Sequence, residues 1–367
     1  MTRASGPVAI VGGGLAGFVA YLTLLRGRVQ PEEITVFSPE ADPADTWRRR
    51  AEAIRQTHMR SESDGHCLPT SFPGLAVRDA RRRRSLLPLV DSVRDRYHPT
   101  VDAFLEHVEQ HRAASAWDER VVAARIAHVV PVAGGFELDG RGPFRHVLLA
   151  TGHPGPAVPE ELRGDPRAVH AYEPHEYGES VCVVGAGLAA ATEWVNALEA
   201  GATVISVRRR EPVRRPLNVP REYMTKRGLA SFHRAPPERR AELLRRLLVP
   251  SYPPGRAWDE PIGRAAAEGR FRVEASVNGA DQIVCATGFL RALAHDPLLA
   301  RLVREHGVET VDGRIVLAPD STVPALTDRS RTLAVAGVAG QLAFPGADAL
   351  TGARYAAHGF LRRCRTR

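Results

Sequence analysis

The sequence predicts an α/β chain of two Rossmann-like units, the second inserted into the first. Three observations carry this: a strand, glycine loop and helix near the N-terminus, a second copy of that plan downstream, and one small tripeptide closing each unit. The apolar run Val8 to Val11 enters the loop Gly12 to Gly17, Gly-Gly-Gly-Leu-Ala-Gly, and a helical stretch follows through Arg26. The strand Ile34 to Phe37 completes a βαβ unit of the usual length. Downstream, Val181 to Val184 enters Gly-Ala-Gly-Leu-Ala-Ala, Gly185 to Ala190, with a helix to Ala200 and the strand Thr203 to Val207 behind it.

Both units end alike, because Val147-Leu148-Leu149 runs into Ala150-Thr151-Gly152 and Ile283-Val284-Cys285 into Ala286-Thr287-Gly288. A strand that breaks at small, flexible residues lets a ligand approach the backbone closely. In such a loop the first glycine makes the tight turn, the second admits a pyrophosphate to the backbone, and the third position packs helix on strand. Free N–H groups at the helix start then meet the phosphate charge. Two nucleotide sites are expected, one at Gly12, Gly14, Gly17, Thr151 and Gly152, the other at Gly185, Gly187, Ala190, Thr287 and Gly288.

The end of the second strand selects the nucleotide, since an acid there accepts from a ribose hydroxyl whereas arginine pairs with a 2′-phosphate. The second unit runs straight into Arg208-Arg209-Arg210, with Arg214 and Arg215 close behind, which points to NADPH. The first unit has Ser38, with Glu40 two residues on, as its ribose candidates. FAD is expected there, because this unit must pair with a distant C-terminal segment.

A chain of 367 residues is long enough for two domains. No apolar run approaches the roughly 18 residues of a membrane span. The first strand begins at Val8, which leaves no room for a signal peptide, so a cytoplasmic protein without a membrane partner is expected. The net charge of +8 raises the question of nucleic acid, but Lys226 is the only lysine. The arginine runs at 48–50 and 81–84 lack interleaved aromatics, and no nucleic-acid module is present. Cys67, Cys182, Cys285 and Cys364 form neither a C-x-x-C pair nor a zinc spacing, and His58, His66 and His170 suggest no metal.

With these features in place, the chain resembles the two-dinucleotide-binding-domain flavoproteins, and within them the FAD- and NADPH-dependent class B monooxygenases. These include N-hydroxylases, flavin-containing monooxygenases and Baeyer–Villiger enzymes, and the likeness extends over nearly the whole chain. Asp45-Thr46-Trp47 is similar to the family's G-x-x-W loop, keeping the tryptophan without the glycine, and Ile54 to Ser61 is similar to its polar stretch over the flavin. The resemblance implies cofactor contacts at Trp47 and Arg55, and Gln56, His58, Arg60 and Ser61 as the candidate catalytic residues. It also implies that the backbone at Val121 touches adenine. Val169-His170-Ala171-Tyr172 looks like the linker histidine segment, with Leu162 where the longer fingerprint has an aromatic. Val207 to Arg214 resembles the H-R-R-x-x-x-R 2′-phosphate motif of thioredoxin-reductase-like proteins, with Arg208 replacing the histidine, which carries those roles onto Arg209 and Arg214. The strand ending at Gly337, followed by Phe344 to Asp348 and a helix to Leu361, looks like the returning FAD segment, with Asp348 as flavin ligand or helix cap.

The resemblance implies an NADPH-consuming monooxygenase. NADPH reduces the flavin, oxygen adds at C4a to form a (hydro)peroxide, and a nitrogen, sulfur or carbonyl centre of a small molecule is oxygenated. The alternative is an NADPH-dependent flavin reductase of thioredoxin-reductase-like fold without a redox-active disulfide. The expected organisation is an FAD-binding part over 1–175, an NADPH-binding domain over 176–290 carrying a helical insertion near 216–256, and the C-terminal FAD-binding part over 291–367. The insertion is a candidate lid or subunit contact, which leaves a homo-oligomer open.

Overall fold

In the computed structural model of the chain, residues 7–59, 74–93, 97–215 and 218–365 are described. The chain opens with β1 (Val8–Val11), α1 (Leu15–Arg26) and β2 (Ile34–Ser38). Among the described residues there follow the helices α2 (Asp45–Ala53), α3 (Leu75–Arg83), α4 (Leu87–Val93), α5 (Val101–Ala113) and the short α6 (Trp117–Arg120), leading into β3 (Val121–Ala123). An antiparallel flap of β4 (Val129–Val132), β5 (Gly135–Leu138) and β6 (Arg141–Phe144) precedes β7 (His146–Leu149). The second half contains β8 (Ala168–His170), β9 (Ser180–Val184), α7 (Leu188–Glu199), β10 (Thr203–Val207) and β11 (Val213–Arg214). After them come α8 (Lys226–Arg234), α9 (Pro237–Leu247), β12 (Ser251–Tyr252), α10 (Arg256–Ala267), β13 (Phe271–Glu274) and β14 (Gln282–Cys285). The chain finishes with α11 (Pro297–His306), the hairpin β15 (Thr310–Val311) and β16 (Arg314–Ile315), β17 (Thr332–Val335) and α12 (Leu350–Arg365).

Two parallel five-stranded sheets result. The first has the order β17-β7-β1-β2-β3 and the second β13-β10-β9-β14-β8. β1, β7 and β17 are buried along their whole length, as parallel strands covered on both faces must be, which is why Val8 to Val11, Val147 to Leu149 and Leu333 to Val335 read as apolar runs. In each sheet the first strand of the glycine loop sits between its successor and a strand from much later, β1 between β2 and β7, β9 between β10 and β14. That reversal of strand order opens a crevice above the carboxyl ends, where open α/β sheets take their ligands. The C-terminal β17 joins the first sheet, and α12 packs Ala353, Ala357 and Phe360 into the same core as Phe18, Tyr21 and Leu24 of α1. Trp117 closes this core edge-on to Phe18 at 5.0 Å and to Tyr21 at 5.1 Å.

The helical insertion expected near 216–256 packs against the first unit. β11 and β12 pair in parallel at its base, and its two helices lie on the C-terminal segment of the first unit. Phe232 and Leu244 bury against Val316 and Leu342, and Leu229 against Phe344 and Ala347. His233 Nε2 bonds the Ala343 carbonyl at 2.7 Å, and Arg240 donates to the carbonyls of Leu342 at 2.6 Å and Leu317 at 3.3 Å. The amphipathic helices were legible in the sequence; the surface that covers their apolar faces was not. Arg240→Ala leaves two carbonyls without this donor and is expected to destabilise the protein by about 2–4 kcal/mol. Thermal unfolding together with limited proteolysis of the insertion checks this, and an unchanged Tm and digestion pattern would contradict it.

Candidate functional site

The two glycine loops fold the same way for the same steric reason. Gly12 has φ +108°, and a Cβ on it would lie 2.2 Å from the Ala150 carbonyl oxygen. Gly185 has φ +139°, and its Cβ would lie 2.4 Å from the Ala286 carbonyl oxygen. Each first glycine is thus pressed against the tripeptide that closes its own unit, which explains why loop and tripeptide recur together. The loops differ at the third position. A Cβ on Gly17 would come 2.0 Å from the Gly12 carbonyl oxygen, whereas Ala190 is accommodated fully buried. Gly14 and Gly187 face open space. They begin α1 and α7, which have neither a side-chain cap nor an acid in the first turn. Helix starts with uncapped N–H groups behind an open backbone cradle fit the pyrophosphate of a dinucleotide in both places.

Backbone register aligns the strand ends, since Gly12 N donates to Phe37 O at 2.8 Å and Gly185 N to Val207 O at 2.9 Å. Ser38 therefore matches Arg208, and Glu40 matches Arg210. Ser38 is buried directly beneath Gly13, whose Cβ would come 2.6 Å from the Ser38 side chain, and its hydroxyl accepts from the Glu40 amide at 3.3 Å. The loop lies on this position, which accounts for a small residue where an acid was expected; the exposed carboxylate beside the loop belongs to Glu40. In the second unit Arg208 is largely covered, 3.0 Å from Glu211 and with its guanidinium 6.0 Å from the Trp194 ring. Arg209 is 88% exposed beside Glu161, and Arg210 is exposed. Arg214 is drawn away from this group: it pairs with Asp259 at 2.5 Å and lies 4.1 Å over the Tyr252 ring.

Beyond the tripeptides, the two connecting segments run against each other. Ala157 N donates to Gly288 O and Leu290 N to Gly155 O, each at 2.9 Å, with Pro156 opposite Phe289. The threonines hold this crossing. Thr151 Oγ1 donates to Asp296 at 2.6 Å, which itself caps α11 at Leu299 N, and Thr287 Oγ1 donates to the Ala157 carbonyl. The linker histidine, His170, is buried with Nε2 donating to Gly288 O at 2.9 Å and Nδ1 accepting from Tyr172 N at 3.3 Å. Burial lowers its pKa, and this bonding pattern is that of the neutral ring. Phe289 stacks on Tyr172 at 4.8 Å and lies 4.6 Å from His153, with the Arg50 guanidinium 4.2 Å from its centroid.

The returning segment shows Gly337 at φ +77° and α12 starting at Leu350. Asp348 stands two residues before that start, and Ala353 N bonds Ala349 O, so Ala349 rather than Asp348 precedes the first turn. Asp348 instead pairs with Arg291 at 3.1 Å and keeps Oδ1 buried without a partner. Gln341, 1% exposed, likewise keeps Nε2 unpartnered. A free acceptor and a free donor on one returning segment fit a ring that offers both, as the flavin pyrimidine does. Gln341 was missed in the sequence; the only signal was a polar side chain inside the apolar stretch Val338 to Phe344.

Of the expected catalytic residues, Gln56 and His58 are described. Gln56 Nε2 donates to the His58 carbonyl at 2.8 Å, and the exposed His58 ring bonds Thr57 at 3.1 Å. Arg60, Ser61, His66 and Cys67 lie outside the described residues. Trp47 packs edge-on against Phe104 at 4.9 Å, and Val121 is half-buried on the edge strand. Arg55 reaches across to Glu176 at 2.8 Å. It borders a cleft of about 560 Å³ between α2 and the segment 172–176. Among the described residues no cluster of His, Cys, Asp or Glu could hold a metal.

One wall of that cleft rests on a buried ion pair. Glu193 of α7 is fully buried and accepts from His175 Nε2 at 3.0 Å and Tyr177 OH at 2.9 Å. His175 Nδ1 faces the Glu173 carbonyl at 2.7 Å. With acceptors on both nitrogens the ring carries two protons and a positive charge. Burial and Arg55 oppose that charge, but the bonds to Glu193 and Glu173 outweigh them and raise the pKa above its ordinary value. The stabilisation is therefore complete below the unfolded value near 6.5 and is lost as pH rises through the raised folded value. His175→Ala takes the cation from buried Glu193 and leaves it the Tyr177 hydroxyl, and is expected to cost about 3 kcal/mol at pH 6, with a smaller deficit at pH 9. Melting curves of both proteins across that range check it; a deficit that stays constant contradicts a charged His175.

No protein-family profile matches the sequence, and no curated protein matches it. Solved structures do. An ornithine hydroxylase from Pseudomonas aeruginosa is similar at 16% identity and TM-score 0.69, over 99% of this chain and 100% of that one. The ornithine N-hydroxylase of Kutzneria sp. 744, solved with reduced FAD, NADP+ and L-ornithine, is similar at 15% identity and TM-score 0.72, over 98% and 100%. The L-lysine 6-monooxygenase from Pseudomonas syringae is similar at 15% identity and TM-score 0.69, over 98% of both. No helix among the described residues is long and apolar enough to cross a membrane. With two parallel sheets, a glycine loop on each and end-to-end similarity to these enzymes, the chain has the fold of the two-dinucleotide-binding-domain flavoproteins.

Proposed function

We propose that this chain is an FAD- and NADPH-dependent monooxygenase that oxygenates a nitrogen, sulfur or carbonyl centre of a small molecule. The observation that carries the proposal is the pair of matched cradles, Gly12 against Ala150 and Gly185 against Ala286, joined through crossing linkers at Phe289. The solved structures named above are an ornithine hydroxylase, an ornithine N-hydroxylase and an L-lysine 6-monooxygenase, and one of them holds FAD and NADP+. Bound FAD would accept hydride from NADPH and deliver electrons to dioxygen, so the chain's own residues have to bind, orient and exclude water. FAD is assigned to Gly12, Gly14 and Gly17, with Glu40 at the ribose and Gln341 and Asp348 at the ring. The FAD-binding parts span 1–175 and 291–367. NADPH is assigned to the domain 176–290, with Gly185 and Gly187 at the pyrophosphate and Arg208 to Arg210 at the 2′-phosphate. Cys182 and Cys285 are buried in the second sheet, where burial raises the Cys182 thiol to about 12 and the Cys285 thiol to about 11, so neither is poised for disulfide chemistry. We place the enzyme in the cytoplasm, where its reductant is made.

The test is NADPH oxidation by the FAD-loaded protein, with oxygen uptake, hydrogen peroxide and oxygenated product followed against amines, thioethers and ketones. A substrate that raises NADPH consumption and appears with one added oxygen is the expected result. Consumption that no substrate alters, with all electrons recovered as peroxide or passed to a quinone, identifies a flavin reductase instead.

A further inference from the structure

The cleft between α2 and the segment 172–176 is lined from one side by Thr46, Arg49, Arg50 and Ala53, the i, i+3, i+4, i+7 face of α2. Tyr172 and His175 face them. Its 560 Å³ lies within the usual range for small-molecule pockets. The charges along it mostly cancel in place. Arg49 pairs with Asp45 at 2.8 Å, Arg55 with Glu176 at 2.8 Å, and His175 with Glu193 at 3.0 Å. Two charges along it stand unpaired among the described residues: Glu52, which is exposed, and Arg50, which is half-buried with no carboxylate within ion-pair distance.

Arg50 is also held in place. Its guanidinium lies over Phe289, which is fixed by its stack on Tyr172 and by the linker pairing. A guanidinium centred over an aromatic ring is held there without spending its N–H groups on a carboxylate, which leaves them to a two-pronged partner. Phe289 follows the second tripeptide and His153 the first, so this end of the cleft is where the two nucleotide units come together. Glu52, exposed on the cleft wall, disfavours a ligand with a second negative charge near it. Burial, with Arg49 nearby, also lowers the Arg50 pKa, as expected of a cation short of a counter-charge.

We infer that this cleft binds a small organic molecule through one carboxylate, that Arg50 is the specificity-determining residue that receives it, and that the molecule is the substrate of the proposed reaction. The last clause rests on the monooxygenase reading; the binding does not. The probes are benzoate and hexanoate against their neutral isosteres benzamide and hexanamide, titrated by calorimetry into the FAD-loaded protein, its Arg50→Gln and Arg50→Lys variants, and the protein saturated with NADP+. At least one carboxylate is expected to bind more tightly than its amide. Arg50→Gln should weaken that binding roughly 10- to 100-fold, Arg50→Lys should retain part of it, and NADP+ should leave it in place. Absence of carboxylate binding by the unaltered protein, equal binding by Arg50→Gln, or competition by NADP+, which would give the cleft to the nucleotide, each overturns the inference. Carboxylate binding that depends on Arg50, in a protein that never oxygenates anything, leaves the site standing and removes the monooxygenase reading.

Discussion

Gly185→Val is expected to yield a folded protein that keeps its flavin and oxidises NADPH at least about 100-fold more slowly. The backbone there is at φ +139°, and the new Cβ would sit 2.4 Å from the Ala286 carbonyl oxygen. A non-glycine residue in that region costs on the order of 1–3 kcal/mol. The collision also pushes the loop off the tripeptide, moving the N–H groups that meet the pyrophosphate. Gly12→Val repeats the collision in the first unit, at 2.2 Å from Ala150, and there the expected loss is flavin itself. Flavin-to-protein ratio after purification and NADPH oxidation rate with added FAD separate the two. The reverse pattern, with Gly185→Val losing flavin and Gly12→Val retaining it, would mean that the nucleotides are assigned to the wrong loops.

Arg208→Ala is expected to raise KM for NADPH by roughly 10- to 100-fold while leaving turnover with NADH nearly unchanged. The estimate follows from one charge-assisted hydrogen bond to a 2′-phosphate at about 1.5–3 kcal/mol. Arg208 stands at the first position past β10 and is held by Trp194 and Glu211, so little ordering remains to be done on binding. Arg209 is 88% exposed, and Arg209→Ala is expected to have a smaller effect. Steady-state kinetics with both nucleotides decide this. Equal losses for NADPH and NADH in Arg208→Ala would assign it to packing, and a larger loss in Arg209→Ala would move the phosphate to that residue.

The parts of the site that were legible in the sequence are those set by backbone sterics. A glycine required by a neighbouring carbonyl stays glycine, so Gly12, Gly17 and Gly185 and their tripeptides could be read directly. The side-chain partners were less accessible. Arg214 matched a motif by spacing, yet Asp259, 45 residues further on, takes its charge. Asp348 read as flavin ligand or helix cap; it makes no cap and pairs with Arg291. Trp47 read as a packing or stacking residue, but its partner Phe104, 57 positions on, was not legible. Each of these depends on which residue of another segment arrives within a few ångströms, and that information is spread over the chain.

By itself, then, the sequence determined two parallel α/β units, their glycine loops and the basic end of the second, because local periodicity and steric exclusion act within a few residues. Only the tertiary structure decided that Ser38 is small because Gly13 lies on it, that the inserted helices bury against the C-terminal segment, and that Arg50 faces a cleft without a counter-charge. Burial, ion pairing and shape are properties of surfaces that meet after folding, and no window of sequence contains both sides of them.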